Sequence, residues 1–421
     1  MRAFTSIKTR TFLGLSSFQW LTFLRRGVFY SFMYRYLFDL MGNVTITTLL
    51  GTLDMIASSL GQNLLWGRIS DRYKLRAKLI IMGEVIAGFA YIAVFLTHTF
   101  LLSEGSNFFA GLSIIIGLSV LEFFWSMSDV GWAALLTDVT TPEIRGGFVG
   151  TMNFLATFGR MVGIIVSGFL YEGGRGFREG TVFYIVTAML FTGAVIMWFS
   201  SRSVRPVTPA MTQSPKVITE LKGTYDANER VFKWFLITLV IVVLGSASVN
   251  QVFLLFLQLP EGLNASDLGV SIVLSAWTIG GMAISVLSGM LADRFGRDKV
   301  ILSGFLVVAA TPLFYGIVPN VELMALLYGI NGVSVMAIQT AGFAFAGDII
   351  PEHRRGRLFS RYNAVMALSW GPAGLLIGGP LADVQTQILG VSRHLAYVNV
   401  FIASSILVCL GTAVFLLKVK K

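Results

Sequence analysis

Long apolar runs separated by short polar turns follow one another along the whole chain. Each run has about the 20 residues needed to cross a hydrocarbon layer. Twelve can be counted over the 421 residues, at 13–38, 44–66, 79–101, 108–137, 146–171, 180–200, 232–257, 267–291, 300–318, 321–348, 358–381 and 393–417. None alternates with a period of two, so the spans are predicted to be helices rather than barrel strands; in lipid only those two forms satisfy every backbone group. The longest polar stretch, SRSVRPVTPAMTQSPKVITELKGTYDANER, is rich in Ser, Thr, Pro and charge and separates the sixth span from the seventh. The expected organisation is therefore an N-terminal six-helix bundle at 1–200, a cytoplasmic linker at 201–230 and a C-terminal six-helix bundle at 231–421.

Composition agrees with a bilayer as the solvent: 55% of the residues are hydrophobic, only 13% are charged, and the mean hydropathy is +0.75. The net charge of +10 would suit a nucleic-acid partner, but the basic residues sort by membrane side. With a cytoplasmic N-terminus, 25 of the 32 Lys and Arg residues fall in cytoplasmic segments, four in outer turns (Arg35, Arg175, Arg178, Arg393) and three inside spans. That bias places both termini in the cytoplasm of a multi-pass cell-membrane protein, and it assigns the basic charge to topology rather than to nucleic acid. Cys409 is the one cysteine, and His98, His353 and His394 lack metal-ligand spacing. No metal or other cofactor is expected. An intramembrane enzyme would need a nucleophile with a base, or metal ligands, at span depth, and neither is visible; no catalytic residue is assigned.

The two halves share a plan. GRISDRYKLRAK from Gly67 recurs as GMLADRFGRDK from Gly289, 222 residues on. DVTTPEIRG from Asp138 recurs as DIIPEHRRG from Asp348, an offset of 210 that also pairs Arg145 with Arg355, Asn153 with Asn363 and Gly168 with Gly378. On these motifs the chain resembles the major facilitator superfamily of transporters. The second copy, with Gly289, Leu291, Ala292, Asp293, Arg294, Gly296, Arg297 and Lys299, meets the family signature closely; in the first, Ser70 replaces alanine and Lys74 the second glycine. The resemblance implies an all-α membrane protein with twelve transmembrane helices in two pseudo-symmetric six-helix bundles. It also implies a monomer that carries a small-molecule substrate. It assigns gating to Gly67, Asp71, Arg72, Asp138, Arg145, Gly289, Asp293, Arg294, Arg297, Asp348 and Arg355, with Asp71 and Asp293 set against a helix N-terminus in the opposite half, where the helix dipole favours a carboxylate.

Six ionisable residues fall near the middle of first-half spans: Arg25, Arg26, Asp54, Glu122, Asp129 and Arg160. Each costs about 2.5–3.5 kcal/mol at a helix centre on the insertion scale, so they are expected to face one another or a watery cavity. The repeat supplies an internal control, because Asp54, Glu122, Asp129 and Arg160 correspond to Ala276, Gly332, Gln339 and Trp370. The scaffold does not require the charges. Arg26 shares a helical stripe with Gln19, Thr22 and Tyr30, whereas Arg25 lies on the face of Phe18, Leu21 and Phe32; Glu122 and Asp129, seven apart, share a face with Trp125 between them. In the family the first, fourth, seventh and tenth helices line the cavity. The expected substrate cavity therefore holds Arg26, Tyr30, Trp125 and Arg160 from the first half and Asn250, Gln251, Trp277, Gln339, Asn363 and Trp370 from the second. Glu84, near one end of the third span, is expected to be solvated.

Burial disfavours an ionised carboxyl and a neighbouring arginine favours it, so a pair that forms and breaks could carry protons. Asp129 and Glu122, then Asp54, are the candidate proton-coupling residues of a secondary transporter with proton or other cation coupling, leaning to efflux of drugs or metabolites. Permanently neutral structural pairs are the competing account of the same acids. Uptake of a sugar or organic anion, with Arg26 and Arg160 docking the anion, and a non-transporting membrane sensor are the alternative functions. The early helix-four arginine and the helix-five Gly-Pro pair of drug/proton antiporters are missing; Gly371-Pro372 stands in the eleventh span instead.

Overall fold

A computed structural model describes residues 9–202, 222–350 and 355–419, so most of the linker lies outside the described residues, as do the side chains of Arg145, Arg355 and Trp370. The described residues are helical, without a strand. The first half comprises α1 (Thr9–Met41), α2 (Val44–Leu60), α3 (Gly67–Tyr73), α4 (Arg76–Ser103), α5 (Asn107–Val139), α6 (Pro142–Tyr171), α7 (Arg175–Arg178) and α8 (Thr181–Ser201). The second comprises α9 (Lys222–Ala247), α10 (Asn250–Leu257), α11 (Asp267–Phe295), α12 (Arg297–Tyr315), α13 (Val321–Ile349), α14 (Arg355–Trp370), α15 (Gly379–Asp383) and α16 (Arg393–Lys418). Among the described residues ten helical segments are long and apolar enough to cross a membrane. The two further expected spans are α1, which carries Arg25 and Arg26, and the eleventh, which is broken into α14, a π-helical turn at Gly374–Gly378, α15 and a second π-helical turn at Val384–Ile388. A π-helical turn at Gly61–Trp66 joins α2 to α3.

Polar residues at the span ends fix where helices start. Ser266 accepts from the Gly269 amide at 3.2 Å ahead of α11, and Asn320 from the Leu323 amide at 2.9 Å ahead of α13, each satisfying an amide that the helix itself leaves unbonded. Pro142 opens α6, a position where its missing N–H costs nothing.

Two compact units result. In the first, α1 packs along α6, α4 along α5, and α8 against both α4 and α1. In the second, α12 packs on α13 and on α16, and α9 on α16. The pairs α4–α5, α4–α8 and α1–α8 thus recur as α12–α13, α12–α16 and α9–α16, which is the sequence repeat expressed as packing. The second unit also takes in Asn43–Gly51 from the first half of the sequence. Asp383, at the end of α15 and only 8% exposed, accepts the Val44 and Thr45 amides at 3.0 and 2.7 Å and the Thr45 hydroxyl at 2.6 Å. Asn43 accepts the next amide, that of Ile46, at 2.8 Å. The start of α2 is therefore capped by its own preceding residue and by a residue 339 positions along the chain.

The two copies of the opening motif bend at the same place. Gly296, between α11 and α12, has φ of 98°, and Lys74, between α3 and α4, has φ of 51° in the left-handed region. A side chain there costs roughly 1–2 kcal/mol, which is why the family signature has glycine. Lys74→Gly is expected to raise stability by up to about 1 kcal/mol, the glycine's extra unfolded-state entropy offsetting part of the gain. Gly296→Ala is expected to lower stability by a similar amount. Asp383→Ala, which leaves buried amides without an acceptor, is expected to cost about 2 kcal/mol. Thermal unfolding of the purified variants in one detergent checks all three.

Candidate functional site

The first unit gathers most of the expected charges. Successive residues on a helix point about 100° apart, so Arg25 and Arg26 leave α1 in different directions: Arg25 is 3% exposed, while the Arg26 side chain keeps 32% exposure. Arg26 Nη2 lies 3.9 Å from Glu122 Oε1 and 3.7 Å from Asp129 Oδ2. Those acids are two turns apart on α5. Trp125 stands between them, 2% exposed, with the Arg26 guanidinium carbon 4.3 Å from its ring centroid. The indole thus carries the cation on a flat face while the two carboxylates reach it from either side along the helix. At these separations the arginine is in ionic contact with both acids without a tight two-pronged hydrogen bond to either, an arrangement that can exchange partners. Tyr30 is half-buried one turn further along α1, its ring edge-on to Phe29. Asp54 on α2 accepts from Ser119 Oγ at 3.0 Å and feels the charges of Glu122 and Arg26. Arg160 is exposed on α6, so the sixth charge belongs to the surface of its unit.

Glu84 corrects an expectation. It is 1% exposed rather than solvated, and its Oε1 accepts from Trp125 Nε1 at 2.8 Å and from Ser128 Oγ at 3.0 Å. Its place near the span end suggested water; the packing of α4 against α5 and α8 removes it. The same packing makes Trp125 a link, because one side chain touches both Arg26 and Glu84. The signal available in the sequence was an acid at helical spacing from small residues (Gly83, Ala87, Gly88), which marks a face of close helix contact.

In the second unit the expected polar residues are spread. Trp277 Nε1 donates to Asn331 Oδ1 at 3.3 Å, and Asn331 donates in turn to Thr311 at 2.8 Å. Asn250 lines a small cavity of about 20 Å³ with Tyr315, Tyr328 and Asn331. Gln251 is half-buried, its Oε1 having no hydrogen-bond partner and facing Gly374. Gln339 and Asn363 are exposed on their own unit. Asn331 was missed by the sequence reading because its counterpart in the first half, Leu121, is apolar and carries no motif.

The motif turns are held by arginines inside each unit. Arg76 Nε bonds Asp138 Oδ2 at 3.2 Å, and its Nη1 lies 3.4 Å from Asp71 Oδ1. In the second unit Arg297 reaches Asp348 and lies 3.8 Å from Asp293; it also donates to the Ala344 carbonyl at 2.8 Å. Each repeat thus ties the signature turn to the end of the following helix pair through one guanidinium. In the first unit it is Arg76 that pairs with both Asp71 and Asp138. Arg72 and Arg294 are exposed and lie over the rings of Tyr73 and Phe295. Asp71 and Asp293 remain 83% and 75% exposed. A Cβ placed on Gly289 would meet no described atom within 4 Å, so that glycine answers no close approach within its unit, whereas one on Gly67 would crowd the Gln62 carbonyl at 2.8 Å.

A polytopic helical fold built twice over, with ion-paired charges at span depth in one repeat, is the architecture of a multi-pass membrane protein. The chain belongs to the major facilitator superfamily: the family's sequence profile matches residues 15–260 and again 236–421. It is similar to an MFS-type transporter of Mycobacterium tuberculosis, 27% identical over 152 residues, or 35% of this chain and 21% of that protein. It is also similar to the quinolone resistance protein NorA of Staphylococcus aureus, 26% identical over 159 residues, 37% of this chain and 39% of NorA. The matches thus span well under half the length of these relatives. Among solved structures, a bacterial homologue of the human lysosomal transporter Spinster superposes with a TM-score of 0.71 at 14% identity, covering 97% of this chain and 96% of that one. The nucleoside transporter NupG gives 0.68 at 16% identity, with 96% and 99% coverage. The protein is accordingly a multi-pass membrane protein of this superfamily.

Because each arginine network closes within its own unit, Arg297→Ala is expected to speed amide exchange of the 293–299 turn by about tenfold while leaving the 71–78 turn unchanged. Arg76→Ala should do the converse. Hydrogen exchange of the full chain reads both turns at once.

Proposed function

We propose that the chain is a secondary transporter that moves its substrate by alternating access and is driven by protons, with efflux as the favoured direction. The observation that carries this reading is Arg26, one partly exposed cation facing two acids at 3.9 and 3.7 Å without closing on either. When the cation leans to one acid, the other loses its counter-charge and takes up a proton; when a substrate or a conformational step moves Arg26, the preference reverses. Asp129, with a side chain 42% exposed, is the member of the trio most open to water, and Glu122, at 14%, the more enclosed. Asp54, held by Ser119, feels the charges of Glu122 and Arg26. In the second repeat the corresponding positions are Ala276, Gly332 and Gln339, which cannot titrate, so proton traffic is confined to the first unit. The likeness to NorA over 37% of the chain supports the efflux direction.

On this reading the candidates for substrate contact within each unit are Arg26 and Tyr30 in the first and Asn250, Gln251 and Trp277 in the second. The networks Asp71–Arg76–Asp138 and Asp293–Arg297–Asp348 hold the gating turns. Both termini are cytoplasmic, as the 25-to-4 distribution of basic residues requires, and the protein works as a monomer. A second reading, uptake of an organic anion, is favoured by the exposed part of Arg26, which could dock a carboxylate.

A thermal-shift panel of small molecules that includes a fluorescent quinolone, run at a mildly acidic and a neutral pH, is expected to single out a stabilising compound. Transport of that compound in proteoliposomes under an imposed proton gradient is then expected to fall at least tenfold in Asp129→Asn or Glu122→Gln, with passive counterflow retained. Uphill, proton-driven transport persisting in both variants and in Asp54→Asn would sink the proton-coupled reading. Stabilisation confined to organic anions, lost in Arg26→Gln, would replace efflux with the second reading.

A further inference from the structure

The Arg26 trio leaves a second pair of charges unexplained. Arg25 and Glu84, on α1 and α4, are 3% and 1% exposed, in the interior of the first unit. Arg25 Nη1 donates to the Tyr91 hydroxyl at 3.3 Å, but its Nε and Nη2 have no hydrogen-bond partner. Its guanidinium carbon lies 4.9 Å from the Trp125 ring centroid, the same indole that carries Arg26. Both donors that reach Glu84, Trp125 Nε1 and Ser128 Oγ, converge on one oxygen, Oε1. The charged groups facing Glu84 are Arg25 from α1 and Asp129 from α5, and Gly193 of α8 lies against its Oε2.

This pattern is that of a neutral acid. A buried carboxylate beside a guanidinium with two idle N–H groups would draw them into a two-pronged bond, because charge-assisted pairs of that kind are the strongest available, and idle donors in an apolar interior are costly. Instead Oε1 accepts like a carbonyl oxygen, and Oε2 is the oxygen left to carry a hydrogen. Charge balance points the same way. At span depth the first unit holds Arg25 and Arg26 against four carboxyls, Asp54, Glu84, Glu122 and Asp129, with Arg160 on the surface of the unit. Neutrality in a membrane interior therefore asks for protons on the surplus carboxyls. The second repeat has Phe305 and Leu306 where Glu84 falls, so the fold does not need an acid at this depth.

We propose that Glu84 is a second proton-binding site of this transporter, protonated in the arrangement seen here and ionised when Arg25 turns onto it. In that step the O–H bond on Oε2 breaks, the proton leaves to water, and the idle Nε and Nη2 hydrogens of Arg25 take its place on the carboxylate. Trp125 couples the site to the Arg26 trio, because any shift of the indole that follows a change of partner at Arg26 also moves the donor on which Glu84 Oε1 depends. The inference rests on the proton-coupled reading, but it fails on a different measurement.

The test is infrared difference spectroscopy of the full-length protein in lipid, with no substrate added, titrated from mildly acidic to mildly alkaline pH. The expected result is a carbonyl-stretch band of a buried protonated carboxyl that disappears on alkalinisation, is missing in Glu84→Gln at every pH, and survives in Asp129→Asn. Glu84→Gln keeps an acceptor for Trp125 and Ser128, so an unchanged thermal unfolding midpoint shows that the loss is not one of folding. Glu84→Asp is expected to restore a titrating band, which a merely structural role would not do. No such band in the wild type, a band that never titrates, or a band untouched by Glu84→Gln each overturns the proposal, whatever the transport assays give.

Discussion

A guanidinium at span depth is costly to leave unpaired, and Arg26 meets that constraint with two acids from one face of α5 and an indole beneath it. Much of the first unit follows from this. The acids have to sit two helical turns apart to flank the cation, and the residue between them has to be flat and large, which Trp125 is. Trp125 must then be anchored, which Glu84 and Ser128 do from its other edge, and the acid that anchors it brings Arg25 into the interior. One charge at span depth thus accounts for a chain of polar residues in a half of the molecule whose twin has none of them. The second repeat fills the equivalent depth with Gly332, Gln339, Phe305 and Leu306 and keeps a neutral network of Trp277, Asn331 and Thr311. Two copies of one scaffold have diverged into a unit with ion-paired charges and one with a neutral polar network at the equivalent depth.

The spans and their repeat were legible because the bilayer imposes a length on each helix and the signature turns recur at fixed offsets. The Arg26, Glu122 and Asp129 stripe was legible for a similar reason: helical spacing alone puts those side chains on defined faces. What could not be read was which apolar face looks inward, since lipid-facing and core-facing residues have the same chemistry; Phe89 at 63% exposure and Phe95 at 6% lie on one helix. Glu84 was misjudged on that ground, its distance along the span being visible and its direction not. The partners of Arg76 could not be read, because Asp71 and Asp138 lie 5 and 62 residues away and only the packing of α4 on α5 brings the second of them near.

Lys74 shows the limit of reasoning from a signature. The family glycine is absent from the first repeat, yet the backbone takes the left-handed turn all the same, so the turn is imposed by the helices it joins and by Arg76, with the residue type as a secondary preference. The same holds for the signature arginine: the function of clamping the turn is kept while the position that supplies it moves by a residue between the two copies.

The capping of α2 by Asp383 has a consequence for how the polypeptide is assembled. A chain severed in the linker would release a carboxy-terminal piece with a solvent-starved anion and no amides to receive it, while the amino-terminal piece would carry a stretch, Asn43–Gly51, that belongs structurally to its sibling. The second unit is therefore completed by nine residues that leave the ribosome long before the rest of it.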